Sequence, residues 1–402
     1  MILILHPNID PEGETYRHLL AHLSRLQNIR VRVHREQGVE QCLTELHLIG
    51  NTVAISLNDM RSLPGVERAV RVSEMYRVIG RHVDDERPTH FDYQGVRFGQ
   101  DTLNVFAGLC AVDTREHVET MMRALQDNRQ VCTRMGAYKP RTSPYTFQGH
   151  GKKCLTDVFE LAGKYGIKVV AMEVTHESHI AEIREALALT GDPTGVMLQI
   201  GTRNTQNFEL LKIVGRQSEF PVLLKRGFGI TLDESLHAAE YLASEGNRKV
   251  VFGLRGMKTN IGEPHRNFVD FAHVPVVKRL TRMPVCIDPS HSVGSRSSSA
   301  DGILDIMHVT AQGVIAGANM ILVDFHPAPE HALVDGPQAL RLEELPHFLE
   351  DIAIARTAYE QRVRLAERHR QSLRESGETT ARPAADRWNA SALLGGAAGD
   401  PR

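Results

Sequence analysis

At 402 residues, with 47 Lys+Arg against 49 Asp+Glu, the chain has room for a barrel-sized domain plus a smaller one, and it lacks the overall field that would hold a nucleic acid or an anionic membrane. Five cysteines, Cys42, Cys110, Cys132, Cys154 and Cys286, are an odd number without a pairing pattern, which favours mostly buried thiols in a reducing cytoplasm over a disulfide framework. The opening Met1-Ile-Leu-Ile-Leu5 is cut short by His6-Pro7, and no run approaches the ~18 apolar residues of a membrane span, so neither a secretory leader nor a membrane segment is expected.

In chain order, residues 1–78 read as strand (Met1 to His6), amphipathic helix (Pro11 to Leu26), strand (Ile29 to His34), strand (Thr52 to Leu57), helix (Leu63 to Glu67) and strand (Ala69 to Val72). That order predicts a small ferredoxin-like α+β domain. Residues 79–101 read as a polar linker and a β-hairpin turning at Gln94-Gly95. From Thr102 onward eight apolar runs recur with helical patterns between them, starting at Asn104, Gln130, Lys168, Val196, Pro221, Lys249, Pro284 and Met320. Eight such units with polar residues at almost every strand end predict an α/β fold closed as a (β/α)8 TIM barrel over 102–369, in preference to a doubly wound open sheet. Residues 370–402 turn polar and then Ala/Gly-rich, too poor in large apolar groups to offset the entropy of ordering, and predict a disordered tail.

The strand ends carry, in order, Cys110, Arg134, Glu173, Arg203, Lys225, Arg255, then Asp288 with His291, and Asp324 with His326; Asp335 follows on the last loop. Any one alone is ordinary, a small core thiol or a solvated cation. In a barrel all of them meet over one mouth. The cations suit a small, multiply charged anion, and a mixture of bidentate Arg and point-charge Lys suits a phosphorylated carboxylate such as phosphoenolpyruvate. Cys110, His291, Asp324 and Asp335 form a set of thiolate, imidazole and carboxylates, which suits a divalent transition ion (Mn, Fe, Co or Zn) and not Ca or Mg. In Lys139-Pro-Arg-Thr-Ser-Pro144 two prolines stiffen a loop of donors, as a phosphate clamp requires, though a basic surface turn would read the same way. The run Ser295 to Ser299 reads as a mobile polar loop.

Gly136-Ala-Tyr-Lys-Pro-Arg-Thr-Ser-Pro-Tyr-Thr-Phe-Gln-Gly149, Gln199-Ile-Gly-Thr-Arg-Asn-Thr-Gln-Asn-Phe208, Leu223-Leu-Lys-Arg-Gly227, Asp288-Pro-Ser-His-Ser292 and His326-Pro-Ala-Pro-Glu330 with Asp335-Gly336 together resemble the 3-deoxy-D-arabino-heptulosonate 7-phosphate (DAHP) synthases, type I β subgroup. That subgroup shares its barrel with 3-deoxy-D-manno-octulosonate 8-phosphate synthases. The resemblance runs from about residue 100 to 350 in unbroken motif order, and residues 1–78 resemble, more loosely, the regulatory module that precedes some of these barrels. It implies metal-dependent condensation of phosphoenolpyruvate with erythrose 4-phosphate, releasing phosphate, as the first step of the shikimate pathway. It assigns Arg134, Lys139, Arg203, Lys225 and Arg255 to phosphoenolpyruvate, Arg141, Thr142 and Ser143 to the aldose phosphate, and Cys110, His291, Asp324 and Asp335 to the metal. Lys139, close to both reactants, is the candidate for proton transfer, with Cys110 and His291 the other catalytic candidates. It further implies a homo-tetramer whose amino-terminal module either takes an aromatic amino-acid effector or serves as a structural appendage.

Several positions depart from the family pattern. Ala-Gly-Pro-Cys stands as Ala107-Gly-Leu-Cys110, the last-strand glutamate is Asp324, one methylene shorter, and Met135 replaces a glycine with bulk expected at the barrel mouth. Cys-Glu-Arg-Gly reads Gly253-Leu-Arg-Gly256, and the loop after Ser292 is longer than usual. These changes keep open a paralogue using another aldose phosphate, and a weakened homologue that binds phosphorylated ligands as a regulator. Retention of Lys139-Pro-Arg-Thr-Ser143 favours erythrose 4-phosphate over the longer arabinose 5-phosphate.

Overall fold

The computed structural model describes residues 1–375 apart from 8, 27–28, 38–41, 51, 53–54, 71–75, 83–86 and 192–193. Its amino-terminal region runs β1 (Ile2–Leu5), α1 (Glu14–Ser24), β2 (Ile29–Gln37), β3 (Cys42–Gly50), α2 (Leu57–Arg61) and β4 (Val66–Val70). The antiparallel sheet order β2-β3-β1-β4 is the ferredoxin-like arrangement. Leu3 and Leu5 of β1 and Leu46 and Leu48 of β3 pack against Tyr16, Leu19 and Leu23 of α1. Two expectations are corrected here. The third strand is Cys42–Gly50 and not Thr52–Leu57: Thr44, Leu46 and Leu48 are buried while Glu45 and His47 between them are half-buried, a two-residue period that pairs along the whole of β2. The helix expected at Leu63 to Glu67 lies earlier, at α2, where the Ser56 hydroxyl accepts a hydrogen bond from the Asp59 N–H at 3.3 Å and caps the first turn. Residues 71–72, expected as a strand end, fall outside the described residues.

The chain then fastens to the barrel. Tyr76 and Ile79 enter the barrel core, and the Glu240 carboxylate accepts from the N–H groups of Arg77, Val78 and Ile79 at 2.7, 2.8 and 3.1 Å. The hairpin β5 (His90–Tyr93) and β6 (Val96–Gly99) turns at Gln94-Gly95, both at positive φ (50° and 74°), as a two-residue type I′ turn demands.

Eight parallel strands follow, each on one of the eight apolar runs: β7 (Asn104–Leu109), β8 (Cys132–Met135), β9 (Val169–Val174), β10 (Gly195–Ile200), β11 (Val222–Lys225), β12 (Val250–Leu254), β13 (Val285–Ile287) and β14 (Met320–His326). Neighbours pair in sequence, and β14 pairs with both β13 and β7, so the ring is closed. Between the strands lie α3 (Arg115–Asp127), α4 (Leu155–Lys164), α5 (Ser178–Thr190), α6 (Phe208–Arg216), α7 (Leu232–Ser244), α8 (Val274–Leu280), the short α9 (Pro289–Val293) and α10 (Asp305–Ile315). Their inward stripes are set by helical spacing: α3 buries Val118, Met121, Met122 and Leu125, at i, i+3, i+4 and i+7. A short β15 (Leu340–Arg341) and the long α11 (Leu345–Glu375) complete the described chain. Residues 370–375, expected to begin an unstructured tail, are the last turns of α11, helped by an i,i+4 hydrogen bond from Gln371 to Glu375 at 3.0 Å. The rest of that tail, 376–402, lies outside the described residues.

Strand alternation separates two cores. Outward-facing Ala107, Leu109, Val170, Met172, Leu198 and Leu224 pack under the helices. Met135, expected to crowd the mouth, belongs to this outer layer and is fully buried, because it follows inward-facing Arg134 by one residue. Inside the ring, Phe106, Cys132, Ala171, Met197, Leu223, Cys286 and Leu322 form an apolar foot that Val96 and Phe98 of the hairpin cover. No helix among the described residues is long and apolar enough to cross a membrane.

Phe98 is 1% exposed and lies against Phe91 and Phe106 with ring centroids 5.2 and 6.1 Å apart. Phe98→Ala is therefore expected to cost about 3–5 kcal/mol in a denaturant titration. An unchanged midpoint would show that the hairpin does not seal the barrel.

Candidate active site

Two residues beyond six of the apolar foot positions, the same inward face turns polar: Cys132 is followed by Arg134, Ala171 by Glu173, Met197 by Gln199, Leu223 by Lys225, Cys286 by Asp288 and Leu322 by Asp324. The two-residue period thus delivers six polar side chains to the carboxyl end of the barrel without help from any loop. Cys110 joins them just past β7. Its loop and that after β8 approach so closely that a Cβ on Gly136 would stand 2.1 Å from the Cys110 carbonyl oxygen. Glycine at 136 is what lets Cys110, Arg134 and Lys139 crowd together.

Cys110, His291 and Asp324 offer donor atoms within 4.8 Å of one another, and Asp335 adds a carboxylate oxygen 3.2 Å from the Cys110 sulfur and 3.7 Å from His291 Nε2. All four residues named as metal donors therefore meet. One soft, one borderline and two hard donors from separate elements fit a divalent transition ion. Neighbouring groups orient them. The Asp288 carboxylate accepts from both the backbone N–H and Nδ1 of His291, at 3.1 and 3.0 Å, which leaves Nε2 facing Cys110 at 3.8 Å. Asp324 is fully buried, held by Arg134 and by the Gln338 side-chain amide, which donates at 2.6 Å. Burial alone would lower the His291 pKa, but the Asp288 and Asp324 carboxylates outweigh it and push it up to about 10. Against its own burial, His291 and then Lys225 hold Asp288 well below the usual carboxylate range.

The cations divide by partner. Arg134 is paired with Asp324, Lys225 Nζ lies 2.6 Å from Asp288, and Lys139 Nζ lies 3.7 Å from Glu173 and 3.4 Å from the Cys110 sulfur. Arg255 differs. It is 3% exposed, lies on the Phe228 ring at 4.8 Å, and has no carboxylate partner among the described residues; its Nη1 is buried without an acceptor. Burial pulls its pKa down to about 10. Arg203 is exposed, rests on the other approach to Phe228 at 5.5 Å, and donates to the Thr142 hydroxyl at 3.1 Å. Arg141, Thr142 and Ser143 line the same cavity as Lys139, Arg203, Lys225 and Arg255, with a volume of about 290 Å³. Of the residues named from the sequence for the two anions, all but Arg134 border this space; Arg134 is buried behind it, paired with Asp324.

Three contributors to the site were missed, of which Arg266 and Phe228 line the cavity. Arg266 lies on a loop after β12 without a strand end to flag it, and donates to Asp335 at 3.2 Å and to Gln338 at 2.9 Å. Gln338, nearly fully buried, bridges Arg266 to Asp324, and Phe228 supplies the ring under two guanidinium groups. Only their nearness in sequence to Asp335 and Lys225 could have drawn attention to Gln338 and Phe228. A second group, Asp113, His117 and His326, also gathers within 4.8 Å. There His326 Nδ1 accepts from the Ala328 N–H at 3.0 Å, so Nε2 carries the proton it shares with Asp113 at 2.7 Å and has no lone pair for an ion. That group ties the Cys110 loop to β14 and is not a metal centre.

Residues 81–359 match the family model described as the DAHP synthetase I family. The chain is 34% identical over 352 residues to the phospho-2-dehydro-3-deoxyheptonate aldolase of Thermotoga maritima, covering 88% of this chain and 96% of that protein. It is 26% identical over 270 residues to a 2-dehydro-3-deoxyphosphooctonate aldolase of Acidithiobacillus ferrooxidans, covering 63% of this chain and 90% of the other. A crystal structure of the Thermotoga maritima DAHP synthase superposes with a TM-score of 0.64 at 33% identity over 89% of this chain and 97% of that one. A truncated form of the same synthase gives 0.61 at 32% identity over 71% and 97%.

A protonated imidazole has no lone pair for an ion. Titrating Mn or Zn into the metal-free chain at pH 7 should release about one proton from His291, and affinity should climb with pH. Calorimetry in buffers of different ionisation enthalpy measures this; a buffer-independent heat would contradict the charged state assigned to His291.

Proposed function

The chain belongs to the DAHP synthetase I family, and from that membership and the chemistry of the mouth we infer that it is a 3-deoxy-7-phosphoheptulonate synthase, condensing phosphoenolpyruvate with erythrose 4-phosphate to DAHP and inorganic phosphate. The observation that carries the reading is Arg255, a buried guanidinium without a carboxylate partner among the described residues, which calls for an anionic ligand. Phosphoenolpyruvate supplies a phosphate and a carboxylate to Arg134, Lys139, Arg203, Lys225 and Arg255. Arg141, Thr142 and Ser143 hold the aldose phosphate, and the Arg203 to Thr142 hydrogen bond sets the two anion sites side by side.

A divalent transition ion held by Cys110, His291, Asp324 and Asp335 supplies Lewis acidity to the aldehyde oxygen when bound. C3 of phosphoenolpyruvate forms the new bond to the aldehyde carbon, C2 takes up water, and phosphate leaves with the bridging oxygen, so that C2 ends as the ketone. Lys139 is our proton donor to the aldehyde oxygen as it becomes a hydroxyl. Burial would strip its proton, but the Cys110 sulfur and the Glu173 carboxylate outweigh burial and raise its pKa. Glu173, 3.7 Å from Lys139 and accepting from Gln199 at 3.4 Å, stands ready to take the proton that the attacking water loses. The remaining cations stabilise the charge that gathers on the departing phosphate.

The domain division follows the same reading: a regulatory module over 1–78, a linker and hairpin over 79–101, and the catalytic barrel over 102–369. One face of the module's sheet is covered by α1 and α2, whereas Ile49, on the other, is 52% exposed. We assign that open face to pairing between modules in a homo-tetramer, with an aromatic amino acid as the effector bound there. A thiol serving as a metal ligand needs a reducing compartment, which supports a cytoplasmic enzyme.

Arg255→Ala should lower kcat/KM for phosphoenolpyruvate by at least about a hundredfold. Phosphate release by the wild type should vanish with chelator and return with Mn or Zn, and should be faster with erythrose 4-phosphate than with arabinose 5-phosphate; the reverse order would move the chain to the octulosonate reaction. Tyrosine or phenylalanine should inhibit the rate, and titrations that leave it unchanged would remove the regulatory role of the module.

A further inference from the structure

Lys225 ends β11 and Arg255 follows β12, and the residue after each is gripped by the same buried carboxylate. Asp270, 3% exposed on the loop leading to α8, accepts from the Gly256 N–H at 2.8 Å through one oxygen and from Arg226 Nη1 at 3.1 Å through the other. Arg226 is itself 2% exposed, and its Nη1 also donates to His273 Nδ1 at 2.9 Å. The Arg226 side chain does not reach the cavity: it is absent from the lining, points into the protein, and neither it nor Asp270 has a role in the chemistry above. Beneath them the backbone of β11 and β12 is already paired, with the Arg226 N–H donating to the Gly253 carbonyl at 2.8 Å. Past that last ladder bond side chains join the two loops: Arg226 meets His273, Arg255 lies on the Phe228 ring, and Asp270 alone among these holds the residue after Lys225 and the residue after Arg255 at once.

We propose that Asp270 is a positioning residue for phosphoenolpyruvate capture, a clamp that sets the spacing between the Lys225 ammonium and the Arg255 guanidinium by holding Arg226 and Gly256 on its two oxygens. The inference rests on the functional reading above, since it presumes that these two cations share one ligand. A ligand with two anionic ends tests the distance between two cations, so an error in that distance weakens both contacts together. The carboxylate is needed for its charge as well as its shape. An amide would still accept from Gly256, but it would leave Arg226 buried without a counter-charge, and the guanidinium would swing toward another acceptor and pull its loop with it. His273 cannot substitute, because it meets Arg226 through a neutral nitrogen; burial, then Arg226 itself, pushes its pKa down.

The full-length, metal-loaded enzyme decides the matter. Asp270→Asn and the double variant Arg226→Met/Asp270→Asn, which removes the buried charge together with its partner, are compared with wild type by calorimetric binding of phosphoenolpyruvate, by KM for each substrate, and by thermal melting. Both variants should weaken phosphoenolpyruvate binding at least about tenfold while KM for the aldose phosphate stays within about twofold. Equal losses for both substrates, unchanged phosphoenolpyruvate affinity in the double variant, or failure of both variants to fold would each overturn the clamp. A wild type that does not bind phosphoenolpyruvate would overturn the functional reading along with it, whereas a wild type that binds and a double variant that binds equally well would sink the clamp alone.

Discussion

Side chains on a parallel strand alternate with a period of two, and in a closed ring every second residue must point into an interior that water cannot fill. Six of the eight strands meet that constraint in the same way, apolar at the amino end and polar one inward position later, while β7 and β12 carry glycine there. A charge at the foot would be stranded beneath the hairpin with no solvent and no partner, at a cost of several kcal/mol. At the open end the same charge reaches ligands, counter-charges and water. The polarity of the barrel is therefore a consequence of burial, and the chemistry of the mouth follows from it.

Gathering so many charges in one place creates a second problem, which is solved by pairing them unequally. Arg134 with Asp324, Lys225 with Asp288, and His291 with Asp288 form buried pairs whose net contribution to stability is small but whose geometry is rigid. They hold the donor atoms of His291 and Asp324 in register. Among the described residues Arg255 pairs with no acid and lies on the face of Phe228, so the field it creates is directed at whatever anion enters. Preorganised charge of this kind does not have to be rearranged as the reaction proceeds.

Much of this was legible in the chain because it follows from local rules. Eight apolar runs at barrel spacing predict eight strands, and the polar residue at each end is then bound to converge with the others. Cys110, Arg134, Lys225, Asp288 and Asp324 all sit where that reasoning puts them. Met135 was misjudged by a single step of the alternation: one residue past Arg134, it faces the helices and leaves the mouth unobstructed. In the amino-terminal module the alternation in Cys42 to Gly50 was overlooked in favour of a shorter apolar run, and the helix beginning at Leu57 was displaced with it.

What the sequence by itself determined is the periodic part: fold class, strand number, the polar end of the barrel and the residue types present there, since all of these are set by spacing along one chain. Only the tertiary structure decided which cation pairs with which acid, that Gln338 bridges Arg266 to Asp324, that Asp270 spans two loops, and that Asp113 with its two histidines is a brace. Such pairings join residues as many as 213 positions apart through side chains only a few ångströms long. Their existence depends on loop paths and rotamers that no local pattern encodes.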